Sequence, residues 1–221
     1  MGDGLDFWSC YSQGRQVANV LCIHCGRNLP KNCSTKDHVP SKFLLSRPFP
    51  DNLATIRICS ECNSGTSLDE EYFAAFLGMM LTSGEGEELH PNEPAIDSNF
   101  ALQNVFEGAL GIERSGGLVK CYIEPDLNRL HRVIEKNARG HWHLADRRRT
   151  QFLTTNVICC ALESQPDEVW EKVMPPASLW SVIQKSRYRF HLELSEATIV
   201  RSVISDYLYT ETHLMALGCA P

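Results

Sequence analysis

Residues 22–72 read CIHCGRNLPKNCSTKDHVPSKFLLSRPFPDNLATIRICSECNSGTSLDEEY, and this stretch decides what the chain can form. It contains two Cys-x-x-Cys pairs, Cys22/Cys25 and Cys59/Cys62, with 33 residues between them. Two such pairs a few tens of residues apart are the usual way to build a closed tetrahedral zinc site. We therefore predict one structural zinc ion bound by all four thiolates. The alternative is four unrelated thiols.

Polar residues of the types used in hydrolysis lie between and beside the cysteine pairs. Asp37 and His38 are consecutive near the end of a predicted strand at 34–39, Asn52 follows in a loop, and Asn63 comes directly after the last cysteine. Consecutive strand residues point to opposite faces, so Asp37 and His38 can share a site only where the strand ends. An isolated Asp-His pair is as typical of an ordinary polar strand end, and only its position between the cysteines favours chemistry.

The order Cys-x-x-Cys, Asp-His-Val-Pro, Asn-Leu, Cys-x-x-Cys-Asn resembles the zinc-stapled HNH endonucleases of the ββα-metal superfamily, over about a quarter of the chain. The resemblance implies that His38 is the general base and that Asp37 and Asn63 bind a catalytic divalent ion, Mg²⁺ or Mn²⁺. It also implies that Asn52 orders the loop that aims the histidine. Asn63 stands where many members of the family have histidine.

This resemblance implies hydrolysis of phosphodiester bonds in DNA, with RNA as the open alternative. A neutral imidazole near pH 7 can take the proton of an attacking water, and a divalent ion can stabilise the leaving oxygen. Phosphate contacts are expected from four basic residues that flank the predicted site, although each is nearly as well explained as a solvated side chain: Lys36, Lys42, Arg47 and Arg57.

Two other functions compete with this hypothesis. A zinc-knuckle protein could bind nucleic acid or a protein partner without cutting it. The chain could also be the nuclease subunit of a larger assembly, held inactive by a regulatory protein partner or in a homo-oligomer. A role in antiviral defence or in a mobile element is an analogy with other small nucleases.

The net charge of −6 is distributed unevenly along the chain. Residues 1–62 carry seven basic and five acidic residues, residues 63–113 carry none and ten, and residues 114–221 carry fourteen and twelve. A segregated field of this kind can guide a polyanion to one face, but solvated helix faces explain the acidic middle better. The N-terminus does not resemble a signal peptide and no long apolar run occurs, so we expect a cytoplasmic protein without a membrane anchor.

Hydrophobic periodicity and turn residues predict an α+β fold. Residues 1–82 are expected to form an N-terminal ββα-metal (HNH) module with the four-cysteine structural zinc, residues 83–98 a connector, and residues 99–221 a mixed α+β accessory domain. The module should contain strands at 34–39 and 53–58 and a helix over 72–81. The accessory domain should contain helices at 100–110, 125–139, 169–173 and 178–184, and strands at 117–123, 152–162, 188–194, 198–206 and 210–217.

Three smaller patterns have local explanations. Ser67 and Glu70 form a capping box in front of the predicted helix at 72–81. Asp69 and the two glutamates after it would then lie in the first helical turn, where the helix dipole favours acids. His141 and His143 have a spacing that could bind a metal from a strand, but they provide only two ligands.

Overall fold

The computed structural model describes residues 20–29, 34–82, 110–115, 118–147, 151–195 and 197–216. In the first half, the elements are β1 (Val20–Leu21), β2 (Asn28–Leu29), β3 (Ser34–Val39), β4 (Ala54–Cys59) and α1 (Ser60–Thr82). In the second half, they are β5 (Leu110–Ser115), β6 (Leu118–Ile123), α2 (Leu127–Ala145), β7 (Phe152–Ala161), α3 (Asp167–Val173), β8 (Ser181–Gln184), β9 (Tyr188–Glu193), β10 (Thr198–Ile204) and β11 (Leu208–Ala216). The described part of the chain is therefore mixed α+β, as predicted.

Strands β3 and β4 form an antiparallel hairpin that leads directly into α1. The predicted strand at 34–39 is confirmed residue for residue, and the one at 53–58 is displaced by a single residue. In the register of the hairpin, Lys36 lies opposite Arg57 and His38 lies opposite Thr55. The order strand, strand, helix is thus present at the position where the sequence predicts it.

The prediction that the first helix starts after a capping box at Ser67 is wrong, because α1 already begins at Ser60. Ser67 lies inside the helix, where its hydroxyl donates a hydrogen bond to the carbonyl of Ser64 at 2.8 Å. Ser64 in turn donates to the carbonyl of Ser60 at 2.9 Å. These side chains bond to the preceding helical turn instead of capping a new one. The polar segment 60–67 is therefore helical despite its modest helix propensity, and Cys62 lies in the first turn of α1.

Helix α2 begins after Asp126, whose carboxylate accepts hydrogen bonds from the backbone N–H groups of Asn128 and Arg129. This is the usual side-chain cap of a helix start. The predicted helix at 125–139 is confirmed, and it continues six residues further to Ala145. Its apolar side packs against α1 and against the large sheet, which places α2 between the two halves of the chain.

Five antiparallel strands form the large sheet in the order β7-β11-β10-β9-β8. The predicted strands at 117–123, 152–162, 188–194, 198–206 and 210–217 are confirmed with small shifts at their ends, as is the short helix at 169–173. The predicted helix at 178–184 is wrong. Its last four residues are strand β8, because Ser181 and Val182 pair with β9 and the backbone satisfies its hydrogen bonds across the sheet. Of the predicted helix at 100–110, Leu110 begins β5 and the rest lies outside the described residues.

Among the described residues, two clusters of buried apolar side chains hold these elements together, and each draws residues from both halves of the chain. One joins Tyr72, Phe73 and Leu77 of α1 to Val133 of α2 and Leu208 of β11. The other surrounds the start of the hairpin and contains Ile23, Val39, Ile58, Trp142 and Leu214. The ββα segment therefore shares its core with the second half of the chain. The predicted connector at 83–98 lies outside the described residues.

Helix α2 approaches strand β3 closely at Gly140. A Cβ atom at that position would lie 2.7 Å from Cγ2 of Val39, which is well inside normal van der Waals contact. Only glycine allows this approach without a shift of the backbone or of Val39. No helix among the described residues has the length and apolar character needed to cross a bilayer.

Candidate functional site

Four sulfur atoms form a compact group where the first knuckle meets the start of α1. We call Cys22, Cys25, Cys59 and Cys62 the cysteine cluster, and their Sγ atoms all lie within 4.8 Å of one another. The Sγ atoms of Cys25 and Cys59 are 3.7 Å apart. Tetrahedral coordination at a zinc–sulfur distance of about 2.3 Å places sulfurs about 3.8 Å apart. The cluster can therefore hold a metal ion such as zinc.

Backbone geometry prepares the first knuckle for this role. The N–H of Gly26 donates to the carbonyl of Cys22 at 2.7 Å, and Gly26 has a φ of 72°, which favours glycine. Burial of Cys22 opposes ionisation, but backbone hydrogen bonds from Cys59, Cys25 and His24 outweigh it and lower the pKa of the Cys22 thiol. Hydrogen bonds of this kind to sulfur stabilise the thiolate that a metal requires.

Asp37 points inward from β3, towards α1 and α2. Its side chain is only 8% exposed, and Oδ1 lies 2.9 Å from Nζ of Lys136 on α2. Lys136 Nζ also lies 2.6 Å from Oε1 of Glu70 on α1. Burial would raise the pKa of Asp37, but neighbouring His24 and Lys136 outweigh it and keep the pKa of that carboxyl below its ordinary value. Asp37 is thus held as a carboxylate between the strand and the helices, and it is paired with Lys136.

His24 completes this group, which we call the inner pocket: His24, Asp37, Glu70 and Lys136. His24 Nε2 lies 3.9 Å from Asp37 Oδ2, too far for a hydrogen bond. Neither atom is exposed and neither has a hydrogen-bond partner among the described residues. Burial is the main cause that lowers the pKa of His24, so its ring is neutral at pH 7. A buried oxygen and a buried nitrogen therefore face each other without a shared hydrogen.

His38 occupies the opposite face of the same hairpin. Within the described part of the chain its ring has no hydrogen-bond partner, and the side chain is half-buried. Burial and then the charge of Lys42 lower the pKa of His38, and together with smaller contributions from Lys136 and Lys36 they outweigh the opposite effect of Asp37. The imidazole is therefore predominantly neutral at pH 7 and able to accept a proton.

Exposed basic side chains lie in the region of His38. Lys36 precedes it on β3 and faces Arg57 across the hairpin, and both are exposed. Lys42 and Arg47 are also exposed, and their cationic groups lie 5.2 and 5.1 Å from the centroid of the Phe49 ring. The four predicted phosphate contacts are therefore all accessible. The Lys36/Arg57 pair and the Lys42/Arg47 pair each bring two positive charges into one region of the surface.

The two asparagines lie at the ends of elements near the hairpin. Asn52 is exposed in the turn that precedes β4, and Asn63 is half-exposed in the first turn of α1. The described hydrogen bonds include none that their side-chain amides make. Both amides are thus available to a ligand or to water.

Three residues of the inner pocket are not apparent from the sequence pattern. His24 resembles an ordinary knuckle loop residue, and Lys136 is one of several bases on an amphipathic helix. Glu70, like Asp69, is predicted to lie in a first helical turn, which is wrong because α1 begins ten residues earlier. Asp69 instead pairs with Arg129 and Arg132 of α2. The signal available in the sequence is the coincidence of an acidic α1 with a basic α2.

The possible metal site at His141 and His143 is not supported. Both residues lie in helix α2 and not on a strand, and residues two apart on a helix point in different directions. His141 is fully enclosed, its Nε2 lies 3.0 Å from the hydroxyl of Tyr188, and burial lowers its pKa to about 3. His141 is therefore a core residue.

Comparison of the chain with known proteins found no matching family model, no matching curated protein and no matching solved structure. Its function must therefore be inferred from its own residues.

Proposed function

We propose that the chain is a metal-dependent HNH-type endonuclease that hydrolyses phosphodiester bonds of DNA, with His38 as the general base. The observation that carries this proposal is the position of His38 on the outer face of a hairpin that the cysteine cluster anchors. The ring is half-buried, and the positive charges of Lys42 and Lys36 act on it. A neutral imidazole among cationic groups is the combination expected where a base acts beside a bound phosphate.

The lysines and arginines have two roles in this mechanism. Lys36 and Arg57 flank His38 and would orient a phosphodiester against it, while Lys42 and Arg47 would bind the backbone further along. The positive charge of Lys42 also lowers the pKa of His38. The base is thus in its active form at neutral pH without needing a carboxylate partner.

A catalytic divalent ion would be held by Asp37 and Asn63, whose carboxylate and amide oxygens are the donors that Mg²⁺ and Mn²⁺ accept. The chemistry expected of such an ion is neutralisation of charge on the scissile phosphate and the leaving oxygen. Asp37 Oδ2 is an unused acceptor for such an ion, since it has no hydrogen-bond partner among the described residues. Because it faces the interior, the Asp37 side chain would have to turn towards the outer face to hold an ion beside His38. Asp37 Oδ1 already contacts an ammonium group. Asn52 would order the loop between the strands.

The test is cleavage of supercoiled plasmid with Mg²⁺ or Mn²⁺, with and without chelator. We expect His38→Ala to lower the nicking rate by at least about a hundred-fold, which is the usual effect of removing a general base. Zinc content and fold should stay unchanged. His131→Ala on α2 is the matched control and should cleave normally. Full activity of His38→Ala would reject this assignment.

One observation favours a second function, that of a zinc-knuckle protein that binds nucleic acid or a partner without cutting. Asp37 is turned inward and paired with Lys136, so the predicted metal ligand is already neutralised. Under this alternative, the protein binds DNA through its basic outer face in the presence of chelator and never nicks it. Cleavage that depends on His38 would exclude this alternative.

A further inference from the structure

We propose that the inner pocket is a divalent-cation site, formed by Asp37, Glu70 and His24, in which the ammonium group of Lys136 holds the place of the ion. A divalent ion would bind there by displacing Lys136, so that helix α2 controls access to the metal. This inference rests on the proposed function in one respect, since Asp37 is also the predicted ligand of the catalytic ion. It adds Glu70 and His24 as ligands and Lys136 as the competing cation.

The two carboxylates converge on a single point. Lys136 Nζ lies 2.9 Å from Asp37 Oδ1 and 2.6 Å from Glu70 Oε1, and only 4% of the lysine side chain is exposed. Asp37 comes from strand β3 and Glu70 from helix α1, so the convergence is a product of the tertiary fold. A position where acids from two elements meet around one positive charge is, by its electrostatics, a cation site.

The unused polar atoms beside this point complete the site. Asp37 Oδ2 and His24 Nε2 are 3.9 Å apart, buried, and without hydrogen-bond partners in the described residues. Buried polar atoms without a partner are rare in folded proteins, and the ability to bind an ion is one explanation for them. A metal ion can accept electron pairs from both atoms, whereas an ammonium can use only as many acceptors as its three hydrogens reach.

Charge balance favours a divalent ion over the lysine. Asp37 and Glu70 bring two negative charges to the pocket, and Lys136 brings one positive charge. Replacing the ammonium with a divalent ion makes this balance zero. Lysine is suited to such an exchange, because its four-carbon stem is flexible and its ammonium is strongly hydrated once it reaches solvent.

Further contacts tie the lysine's helix to the pocket. The Ser41 hydroxyl donates to Glu70 Oε1 at 2.6 Å, and the Ser41 N–H donates to Oδ1 of Asn137, the residue after Lys136, at 2.7 Å. A shift of α2 would therefore alter Ser41, Glu70 and Lys136 together.

The ligands proposed for this site are one imidazole nitrogen and carboxylate oxygens. Mixed nitrogen and oxygen donors suit Mn²⁺ better than Mg²⁺, which prefers oxygen and retains its waters. We therefore expect Mn²⁺ to bind this pocket more tightly than Mg²⁺ does.

The test uses the zinc-loaded full chain without DNA and the variant Lys136→Met. Mn²⁺ binding is measured by electron paramagnetic resonance or calorimetry, and thermal unfolding is followed with and without Mn²⁺. We expect the variant to bind Mn²⁺ at least ten-fold more tightly than the wild type. We also expect it to melt at a lower temperature than the wild type when no Mn²⁺ is added, and to regain that loss when Mn²⁺ is added. Unchanged Mn²⁺ affinity together with a loss of stability that Mn²⁺ does not restore would overturn the proposal.

Matched variants separate the pocket from general effects of charge. Lys172→Met removes an exposed lysine on α3 and should leave Mn²⁺ affinity unchanged. Lys136→Met combined with Asp37→Asn should lose the gain in affinity. If Lys136→Met does not fold, Glu70→Gln in the wild-type background decides, since it is expected to weaken Mn²⁺ binding about ten-fold, and unchanged binding contradicts the proposal.

Failure of this inference is distinguishable from failure of the proposed nuclease. Tight Mn²⁺ binding by Lys136→Met, combined with no plasmid cleavage by the wild type, would reject the nuclease proposal and support the cation site. The opposite outcome is plasmid cleavage that depends on His38, with an Mn²⁺ affinity that neither Lys136→Met nor Glu70→Gln changes. It would reject the cation site and support the nuclease proposal.

Discussion

The cysteine cluster and the inner pocket both adjoin the β3–β4 hairpin, which contributes Cys59 to the first and Asp37 to the second, and they are built in different ways. All four ligands of the cluster lie within residues 22–62, and their sulfurs come within 4.8 Å of one another. The inner pocket joins Glu70 to a lysine 66 residues later in the chain. Local spacing therefore specifies the cysteine cluster completely, whereas the inner pocket forms only because α2 packs against the hairpin.

The two sites also differ in which cation they favour. Thiolates are soft ligands that select zinc and hold it in a closed shell. The carboxylates of the inner pocket bind the ammonium group of Lys136, and in the proposed site a metal ion would compete with it. The cysteine cluster is therefore expected to hold zinc permanently. Metal binding at the inner pocket is expected to depend on competition with Lys136.

The largest effect in this comparison is expected at the cluster. Cys22→Ser and Cys59→Ser should each lose zinc and unfold the hairpin, because structural zinc contributes on the order of 10 kcal/mol to domains of this kind. That is comparable to the whole stability of a typical domain, about 5–15 kcal/mol. Zinc content by mass spectrometry and far-ultraviolet circular dichroism would measure both losses.

Cys160→Ser is the control for this prediction, since Cys160 lies on β7, outside the cluster, and is only half-buried. It should bind zinc in the same stoichiometry as the wild type and fold normally. A Cys22→Ser protein with full zinc content would contradict this prediction, because the cysteine cluster would then not be the zinc site.

The predictive power of the sequence follows the same division. The β3 bounds, the β4 strand and the grouping of the four cysteines follow from patterns within a few tens of residues. Alternation along a strand also predicts that Asp37 and His38 point to opposite faces, and in the structure Asp37 is buried while His38 is half-exposed. These features need only local geometry and metal chemistry.

The contents of the inner pocket require tertiary information. Lys136 is one of several basic residues on α2, and nothing in its neighbours along the chain distinguishes it from Arg132 or Arg139. The sequence places Glu70 in a first helical turn because the Ser-Thr-rich segment before it has weak helix propensity. Packing against α2 overrides that propensity, and no short sequence pattern reports this effect.

A medium effect is expected where α2 touches β3. Gly140→Ala would place a Cβ 2.7 Å from Val39 Cγ2, so the helix or the valine must move. Overpacking of this kind costs about 1–3 kcal/mol, from which the higher helix propensity of alanine returns up to about 1 kcal/mol. Denaturant unfolding should therefore show a net loss of stability, and Val39→Ala in the same chain should recover part of it.

Gly65→Ala is the matched control, because Gly65 also lies inside a helix but a Cβ added there would have no neighbouring atom within 4 Å. It should be neutral or stabilising by up to about 1 kcal/mol. Equal effects at the two glycines would show that the close approach of α2 to the hairpin is not tight in solution. The inner pocket would then lose the contact that fixes its lysine.

The smallest effect is expected at Asp69, which joins α1 to α2 beside the inner pocket without belonging to it. Its carboxylate lies 2.6 Å from Nε of Arg132 and 2.9 Å from Nε of Arg129. Hydrogen bonds from Arg132 are the main cause that holds the pKa of Asp69 below its ordinary value. Because Arg132 is half-exposed and screened by solvent, we expect Asp69→Asn to cost only about 1 kcal/mol at pH 7.

The pH dependence of that cost follows from the sign of the shift. A carboxyl whose pKa is lower in the folded protein stabilises it fully above its unfolded pKa of about 4, and this contribution disappears as the pH falls through the folded value. The difference in unfolding free energy between wild type and Asp69→Asn should therefore be constant from about pH 7 to 5 and shrink below about pH 4. Loss of zinc in acid affects both proteins and cancels in the difference. A difference that grew as the pH fell would mean that the Asp69 carboxylate is not what holds α2 against α1, and the position of Lys136 would then have to depend on the inner pocket alone.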